Sequence, residues 1–304
     1  MDINKSQETT AGPPHPQDAA TVIIARNSGK GQYEILLMRR HSNQSFMGGA
    51  YVFPGGRLDD ADCDPGLHRY IKGITAGCAC RLLQEPDLPE DRALGLFVAA
   101  VRETFEEAGV LLICGSAGEA IDFTDADTAD RFLACRRALN QRATTLAEIA
   151  RRENISFAMD YLVPFAHWIT PEMVPKRFNT RFFLAWLPDG QVPVHDSVEL
   201  VESRWIAPED ALKLHQAGEI LLMPPTLKNM EDLNAFRTAD ELFEATKRRE
   251  IRAILPQPLE EAGGFGIKLP HDSEYTIAGY KQPPRMGESS RIVMDNGTWK
   301  TLRV

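Results

Sequence analysis

Four charged residues lie close together near the end of one predicted helix. Arg102, Glu103, Glu106 and Glu107 fall in the segment DRALGLFVAAVRETFEEAG, residues 91–109. When each residue is turned by 100°, the apolar side chains gather on one face and the three glutamates on the other, with Arg102 beside Glu106. Small residues lie on or near the acidic side, so we expect no bulky group to shield the carboxylates.

This charge arrangement works against helix stability. Like charges three and four residues apart repel each other by roughly 0.2–0.5 kcal/mol per pair. Negative charges in the last turn also oppose the helix dipole, at a cost of roughly 0.3–1 kcal/mol per group. A divalent cation would turn the repulsion into attraction, and Mg²⁺ or Mn²⁺ suits such hard oxygen ligands. The residues alone therefore leave two interpretations open, a metal site and a solvated acidic face.

The composition limits the class of protein and of partner. The chain has 304 residues, 43% of them hydrophobic, and a net charge of −9. The acidic charge argues against duplex nucleic acid as a partner, but it permits a small nucleotide bound through a cation. Apolar runs are too short to span a membrane, and the five cysteines show no repeating spacing. We predict a cytoplasmic protein with a small-molecule partner, and the sequence predicts no oligomeric state.

The order of predicted elements favours an α/β (α+β) sandwich with a mixed sheet between helices. The polar, Pro-rich residues 1–18 indicate a disordered lead-in. Residues 19–255 form the main domain, with a helical insertion at about 63–90. Residues 256–304 form a C-terminal extension, in which an Asn-Gly pair between alternating apolar residues predicts a hairpin.

Periodicity and turn residues place the individual elements. The predicted strands cover residues 21–26, 34–40, 51–53, 110–114, 162–169, 180–187 and 198–206. The predicted helices cover residues 91–108, 127–152, 208–218, 225–236 and 239–249.

The acidic helix also carries a recognisable motif. Residues 102–110, RETFEEAGV, resemble the second half of the Nudix box, Arg-Glu-x-x-Glu-Glu-x-Gly-apolar, at every fixed position. The first half resembles Gly56, five further residues and Asp62, where the family usually has Glu. The family usually has seven residues between that acid and the Arg, whereas here residues 63–101 intervene, which is thirty-nine. The chain is thus identified as a member of the Nudix hydrolases whose box is split by an insertion.

One branch of that family is similar over a longer stretch, the coenzyme A diphosphatases of the peroxisomal mammalian type and their bacterial relatives. The similar segments are FPGG at 53–56, LDDAD at 58–62, and residues 167–171, 175–183 and 224–226. The resemblance implies hydrolysis of the diphosphate bond in coenzyme A or acyl-coenzyme A, giving 3′,5′-ADP and 4′-phosphopantetheine or its acyl form. The sequence ends in Thr-Leu-Arg-Val, which differs from a peroxisomal address.

The resemblance assigns roles to the residues of the motif. Glu106 and Glu107 match metal ligands, and the main-chain carbonyl of Gly56 is expected to be a third. Glu103 matches a residue that either binds the metal or deprotonates the attacking water. Arg102 matches the arginine that holds a catalytic carboxylate in place through a paired hydrogen bond.

Two further acids are candidates for the metal site. Asp62 would reach the metal directly or, more favourably, through a water molecule. The family often supplies another acid a few residues before a strand tryptophan, and here Glu199 and Glu202 precede Trp205. Glu199 is favoured, and the alternative is that both are surface residues.

Basic residues in or near the similar segments are candidates for binding the substrate's phosphates, and the alternative is that they are solvated charges at the rim. They are Arg39, Arg40, Lys176, Arg177 and Arg181.

Three functions remain open from the sequence. The first is the hydrolysis of coenzyme A compounds. The second is a Nudix pyrophosphatase acting on ADP-ribose, NADH or a dinucleoside polyphosphate. The third is a Nudix-like domain that only binds a ligand. The four intact charged residues of the motif argue against the third, because a binding domain does not need to keep them.

Overall fold

The computed structural model describes residues 14–29, 32–44, 47–196, 198–261 and 264–303. Its strands are β1 (Gln17–Asn27), β2 (Tyr33–Arg40), β3 (Tyr51–Val52), β4 (Gly55–Arg57), β5 (Ile71–Lys72), β6 (Ile113–Gly115), β7 (Ile155–Ala158), β8 (Val163–Ile169), β9 (Phe178–Trp186), β10 (Leu200–Ile206), β11 (Ala253–Ile254), β12 (Gln257–Glu261), β13 (Gly264–Lys268), β14 (Arg291–Asp295) and β15 (Thr298–Leu302). Its α-helices are α1 (Ala76–Leu83), α2 (Glu90–Ala108), α3 (Ala126–Asn140), α4 (Leu146–Glu153), α5 (Pro208–Gln216), α6 (Pro224–Leu233) and α7 (Ala239–Lys247).

A mixed sheet forms the centre of the protein. Its strand order is β10-β2-β1-β9-β8-β11, with β3 added to β2 and β4 added to β1. The β1–β9 and β8–β11 pairs are parallel, and the other pairs are antiparallel. This arrangement confirms the predicted mixed sheet.

Both faces of the central sheet are buried, because β1 and β9 are apolar on both sides. One face, with Val22, Ile24 and Phe183, packs against α1 to α4. The opposite face, with Ile23 and Leu184, packs against α5, α6, α7 and the C-terminal strands. Successive side chains of a strand point to opposite faces, so these continuous apolar strands hold two layers together.

Helix α2 lies in the first of these layers and carries the acidic motif. It ends at Gly109, whose φ of 70° and N–H bond to the carbonyl of Phe105 close the last turn. The side of α2 that carries its small residues is covered near the start of the helix. A Cβ added to Gly95 would lie 2.5 Å from Sγ of Cys63 and 3.2 Å from Leu58, so the chain around the start of the insertion covers the small-residue side of the helix.

The end of α2 is stabilised by a cation from another helix. Arg136 of α3 donates to the carbonyl of Glu106 through Nε at 3.1 Å and through Nη2 at 2.9 Å. It also donates to the carbonyl of Glu107 at 2.8 Å. Positive charge at a helix C-terminus complements the dipole, so Arg136 supplies what the acidic last turn of α2 lacks.

Several elements differ from the sequence-based expectations. The predicted strand at 110–114 is reduced to Ile113–Gly115, and the predicted helix over 127–152 is two helices, α3 and α4. β1 begins at Gln17, inside the expected lead-in, of which residues 1–13 lie outside the described residues.

The C-terminal extension contains more structure than its composition indicates. The predicted hairpin is present as β14 and β15, joined through Asn296 and Gly297, which have φ of 47° and 82°. β12 and β13 extend it to a four-stranded sheet in the order β12-β13-β14-β15. Within the described part of the chain, no helix is both long and apolar enough to cross a membrane.

Replacing Arg136 tests the cation at the end of α2. Arg136→Met should lower the free energy of unfolding by about 2–3 kcal/mol, because two carbonyls would lose a buried charged donor. Urea denaturation measures this change. The matched control is Arg137→Met, an exposed arginine on the same helix, which should change stability by less than about 0.5 kcal/mol. Equal effects of the two variants would contradict the assignment.

Candidate active site

A cavity of about 830 Å³ lies against the end of α2. All three glutamates of the motif line it, together with Gly55 and Gly56 of β4. Five basic residues also contribute to the lining: Arg40, Arg57, Arg102, Arg142 and Lys176. Aromatic and aliphatic side chains form much of the remaining wall, so the cavity combines a charged region with an apolar one.

Arg102 connects the acids of the split motif. Its Nε and Nη2 donate to the two carboxylate oxygens of Asp62, each at 2.8 Å. Its Nη1 donates to Oε1 of Glu103 at 2.8 Å and to Oε2 of Glu106 at 2.9 Å. Burial by itself would lower the pKa of Arg102, but the Asp62 hydrogen bond and the neighbouring carboxylates raise it, so Arg102 stays charged. The expected paired hydrogen bond of Arg102 is thus made to Asp62.

Asp62 lies behind Arg102 instead of in the cavity wall. It is 3% exposed, and its Oδ2 also accepts the N–H of Asp59 at 2.9 Å. Direct metal binding by Asp62 would require it to leave these hydrogen bonds. The geometry favours an indirect role for Asp62, which positions Arg102, over direct contact with the metal, as also expected from the sequence.

The three glutamates are held in an environment that disfavours their charge. Burial raises the pKa of Glu103 to about 7, with a further increase from the charge of Glu106, while Arg102 lowers it. Burial also raises the pKa of Glu106, and it raises that of Glu107 well above its usual value. The N–H of Gly55 donates to Oε2 of Glu107 at 2.8 Å and partly offsets this effect. The site therefore favours any added positive charge.

Gly56 allows the backbone of β4 to approach the motif. A Cβ added at Gly56 would lie 2.3 Å from Oε1 of Glu103, a distance that real atoms do not reach. A side chain at position 56 would displace the carboxylate of Glu103, which lies against the glycine backbone. This contact joins the FPGG turn to the acidic helix and places the Gly56 main chain at the carboxylates.

The donor set fits a hard divalent cation in type, since it consists of carboxylate and carbonyl oxygens. Among the described residues, no group of three or more His, Cys, Asp or Glu side chains converges on one point. The reason is that Glu103 and Glu106 are directed towards Arg102, and Glu107 towards the N–H of Gly55. Each carboxylate keeps a second oxygen that makes no hydrogen bond within the described ranges and can serve as a donor to a cation.

Three of the more distant candidates do line the cavity: Arg40, Lys176 and Glu199. Nη2 of Arg40 lies 3.7 Å from Oε2 of Glu199, and Nε of Arg40 is buried without a hydrogen-bond partner in the described part of the chain. Glu199 also raises the pKa of Glu107, whereas Glu202 pairs with Arg39 and Arg204. Of the two acids before Trp205, the structure therefore brings Glu199 to the site.

The structure does not bring Arg39, Arg177 and Arg181 to the cavity, which corrects the prediction that they bind substrate. Arg181 is 3% exposed and pairs with Asp18 and Glu85. Phe178, Thr180 and Phe182 line the cavity from the same strand, so the alternation of β9 turns Arg181 to the opposite side. Arg177 donates to the carbonyls of Thr170 and Pro14, and Arg39 lies 3.7 Å from Glu202.

Sequence reasoning missed Arg142, which lines the cavity just after α3. Its φ is 56°, a left-handed conformation that glycine usually adopts after a helix. Its side chain is exposed and makes no ion pair within the described ranges. No signal marks Arg142 in the sequence, since it is distant from the motif and follows an ordinary helix.

The fold and this site define the class of the protein. A crystal structure of a NUDIX hydrolase from Alicyclobacillus acidocaldarius is similar, with a TM-score of 0.56 and 24% sequence identity. The similarity covers 77% of this chain and 96% of that chain. It shows a Nudix fold.

The family model described as the NUDT19 Nudix domain matches residues 16–233, more than half of the chain. This protein belongs to that family. Curated relatives named acyl-coenzyme A diphosphatase NUDT19 include one from Homo sapiens, 28% identical over 89% of this chain and 83% of the relative. Another, from Gallus gallus, is 26% identical over 86% of this chain and 80% of the relative. The family confirms the prediction of an enzyme that hydrolyses phosphorus anhydrides, and Nudix hydrolases generally use divalent metal ions.

The raised pKa of Glu103 predicts a pH-dependent stability in the presence of a chelator. A carboxylate with a folded-state pKa of about 7 stabilises the fold while protonated, and this contribution is lost as the pH rises through 7. From pH 6 to pH 8, wild type should lose about 1.4 kcal/mol of unfolding free energy relative to Glu103→Gln. Urea denaturation at both pH values measures the difference. The exposed control Glu219→Gln should lose the same unfolding free energy as wild type between the two pH values. If the stability difference between wild type and Glu103→Gln is the same at both pH values, the pKa of Glu103 is not raised.

Proposed function

We propose that this protein hydrolyses the diphosphate bond of coenzyme A or acyl-coenzyme A, with Mg²⁺ or Mn²⁺ as cofactor, to give 3′,5′-ADP and 4′-phosphopantetheine or its acyl form. The observation that carries the proposal is the buried carboxylate cluster at one part of a cavity whose other walls are largely apolar. Such a cavity suits a substrate with a diphosphate and a long, weakly polar arm. The names of the relatives support the same substrate class.

The residues of the metal site have separate tasks. Glu106 and Glu107, with the Gly56 carbonyl and Glu199 as further donors, would hold the cation. When bound, a divalent ion neutralises diphosphate oxygens and eases the deprotonation of water. Arg102 fixes Glu106 and Glu103 through its two hydrogen bonds, so that both carboxylates keep their direction during the reaction.

Glu103 is suited to accept the proton of the attacking water. A general base works best when its pKa lies near the working pH, and burial raises the pKa of Glu103 to about 7. The water then attacks one phosphorus in line while the other phosphate leaves. Arg40, Lys176 and Arg142 supply positive charge on the cavity wall and are proposed to bind the phosphates of the substrate.

Turnover of a panel tests the proposed reaction. With Mg²⁺ or Mn²⁺, coenzyme A and acyl-coenzyme A should be hydrolysed to 3′,5′-ADP faster than ADP-ribose, NADH or a dinucleoside polyphosphate. Glu106→Gln should lower kcat by roughly a hundredfold or more, because it removes a charged metal donor. The exposed control Glu219→Gln should keep wild-type turnover. Preference for another compound would reject the coenzyme A substrate, and no turnover of any compound would favour a binding domain.

Arg142 offers a test of phosphate recognition. We expect Arg142→Ala to lower kcat/KM for coenzyme A by roughly tenfold to a hundredfold, since one charge-assisted contact contributes about 1.5–3 kcal/mol. If Arg142 contacts the 3′-phosphate, the loss should be much smaller for dephospho-coenzyme A, which lacks that group. The matched control is Arg137→Ala, also exposed but outside the cavity wall. Equal losses of kcat/KM for both substrates would indicate that Arg142 contacts the diphosphate instead. No loss for either substrate would show that Arg142 does not bind the substrate.

A further inference from the structure

The cavity extends across the sheet from the carboxylates to the C-terminal extension. Register pairs form one continuous row over five strands: Arg57 of β4, Ala19 of β1, Thr180 of β9, Trp168 of β8 and Ile254 of β11. The first four of these residues line the cavity, and so does Pro256, two residues after the row ends. Four steps at the usual strand spacing of about 4.8 Å make a span of roughly 19 Å.

The two ends of this row differ in chemistry. At the first end, the carbonyl of Arg57 accepts a hydrogen bond from Arg102 at 2.8 Å, next to the acidic motif. At the other end, Pro256 lines the cavity and the chain continues into β12 of the C-terminal sheet. Apolar side chains of two segments also line the cavity. We call them the apolar wall: Phe265, Ile267 and Trp299 of the C-terminal sheet, and Met173 and Val174 between β8 and β9.

Two members of the apolar wall are unusually accessible for their type. Phe265 is 45% exposed and Met173 is 43% exposed, although both belong to a folded wall of the cavity. Phe265 is held in place by an edge contact with Trp299, with ring centroids 6.0 Å apart. Large apolar side chains grouped on an accessible surface indicate a binding site for an apolar group.

The arm of the proposed substrate is long enough to span most of the row. About twelve bonds separate the phosphoester oxygen of 4′-phosphopantetheine from its sulfur, as in four extended residues, which gives roughly 14 Å. With the diphosphate at the motif, the sulfur would lie about three strand steps along the row, near Trp168. Any acyl chain on that sulfur would then continue onto the apolar wall.

We infer that the apolar wall binds the acyl chain of acyl-coenzyme A, and that the C-terminal sheet therefore sets the acyl preference. This inference rests on the proposed function. It assigns to residues 256–304 a role in substrate choice and not in the chemical step, since none of the motif residues belongs to them.

The experiment compares kcat/KM for coenzyme A, acetyl-coenzyme A and octanoyl-coenzyme A in the full chain. Wild type should favour the octanoyl substrate. Phe265→Ala should lower kcat/KM for octanoyl-coenzyme A by roughly threefold to tenfold, through lost apolar contact, and leave coenzyme A within about twofold. The matched control is Leu302→Ala, since Leu302 is 39% exposed on the same sheet and lies outside the cavity wall. Leu302→Ala should change kcat/KM for neither substrate.

A second variant and a binding measurement keep the inference separable from the proposed function. Met173→Ala truncates a member of the apolar wall that lies in a different segment. It should reproduce the selective loss of kcat/KM for octanoyl-coenzyme A, even if Phe265→Ala folds poorly. Calorimetric binding of coenzyme A and octanoyl-coenzyme A to Glu106→Gln, with and without Phe265→Ala, gives a readout without turnover. If octanoyl-coenzyme A binds more tightly than coenzyme A and the difference depends on Phe265, the acyl-binding role of the apolar wall is supported. This holds even if the protein does not hydrolyse these compounds and the proposed function is rejected. Equal losses for both ligands, or none, overturn the inference.

Discussion

The guanidinium of Arg102 is the contact on which the site depends. It bonds both oxygens of Asp62, which precedes the insertion, and the carboxylates of Glu103 and Glu106, which follow it. Because one planar group binds all three acids, the two halves of the split motif meet at Arg102. The insertion can therefore be long without separating the acids, because the ion pairs of Arg102 join the residues before and after it.

The same contact lets the protein keep an acidic helix end that is unfavourable by itself. Buried glutamates with raised pKa values oppose folding at neutral pH, and they lie where the helix dipole is negative. Arg102 offsets the repulsion among the side chains, and Arg136 binds the final carbonyls of α2. The end of α2 is therefore less stable than a neutral helix end would be, and its carboxylates favour the binding of a cation. Function at this site depends on that imbalance.

The two faces of the central sheet have different tasks: one anchors α2, and the other forms part of the cavity. Its first face anchors α2 through a continuous apolar core, which keeps the motif rigid. Part of its other face forms the floor of the cavity, where Ala19, Thr180 and Trp168 lie in one row. The strands of this floor set the distance between the acidic motif at one end of the row and the start of the C-terminal sheet at the other. This distance is a property of strand spacing and not of any single side chain.

Local patterns in the sequence determined the family, the acidic helix, most strands and the final hairpin, because periodicity, turn chemistry and motif spacing act over a few residues. They also marked Glu103, Glu106 and Glu107 as neighbours, since helical spacing alone places them on one side. Only the tertiary structure decided which distant residues meet them. The alternation of β9 turned Arg181 inward to Asp18, and the backbone of Gly56 came to lie against Glu103. Arg142 and Phe265 reach the cavity from segments far from the motif in the chain, which no local pattern encodes.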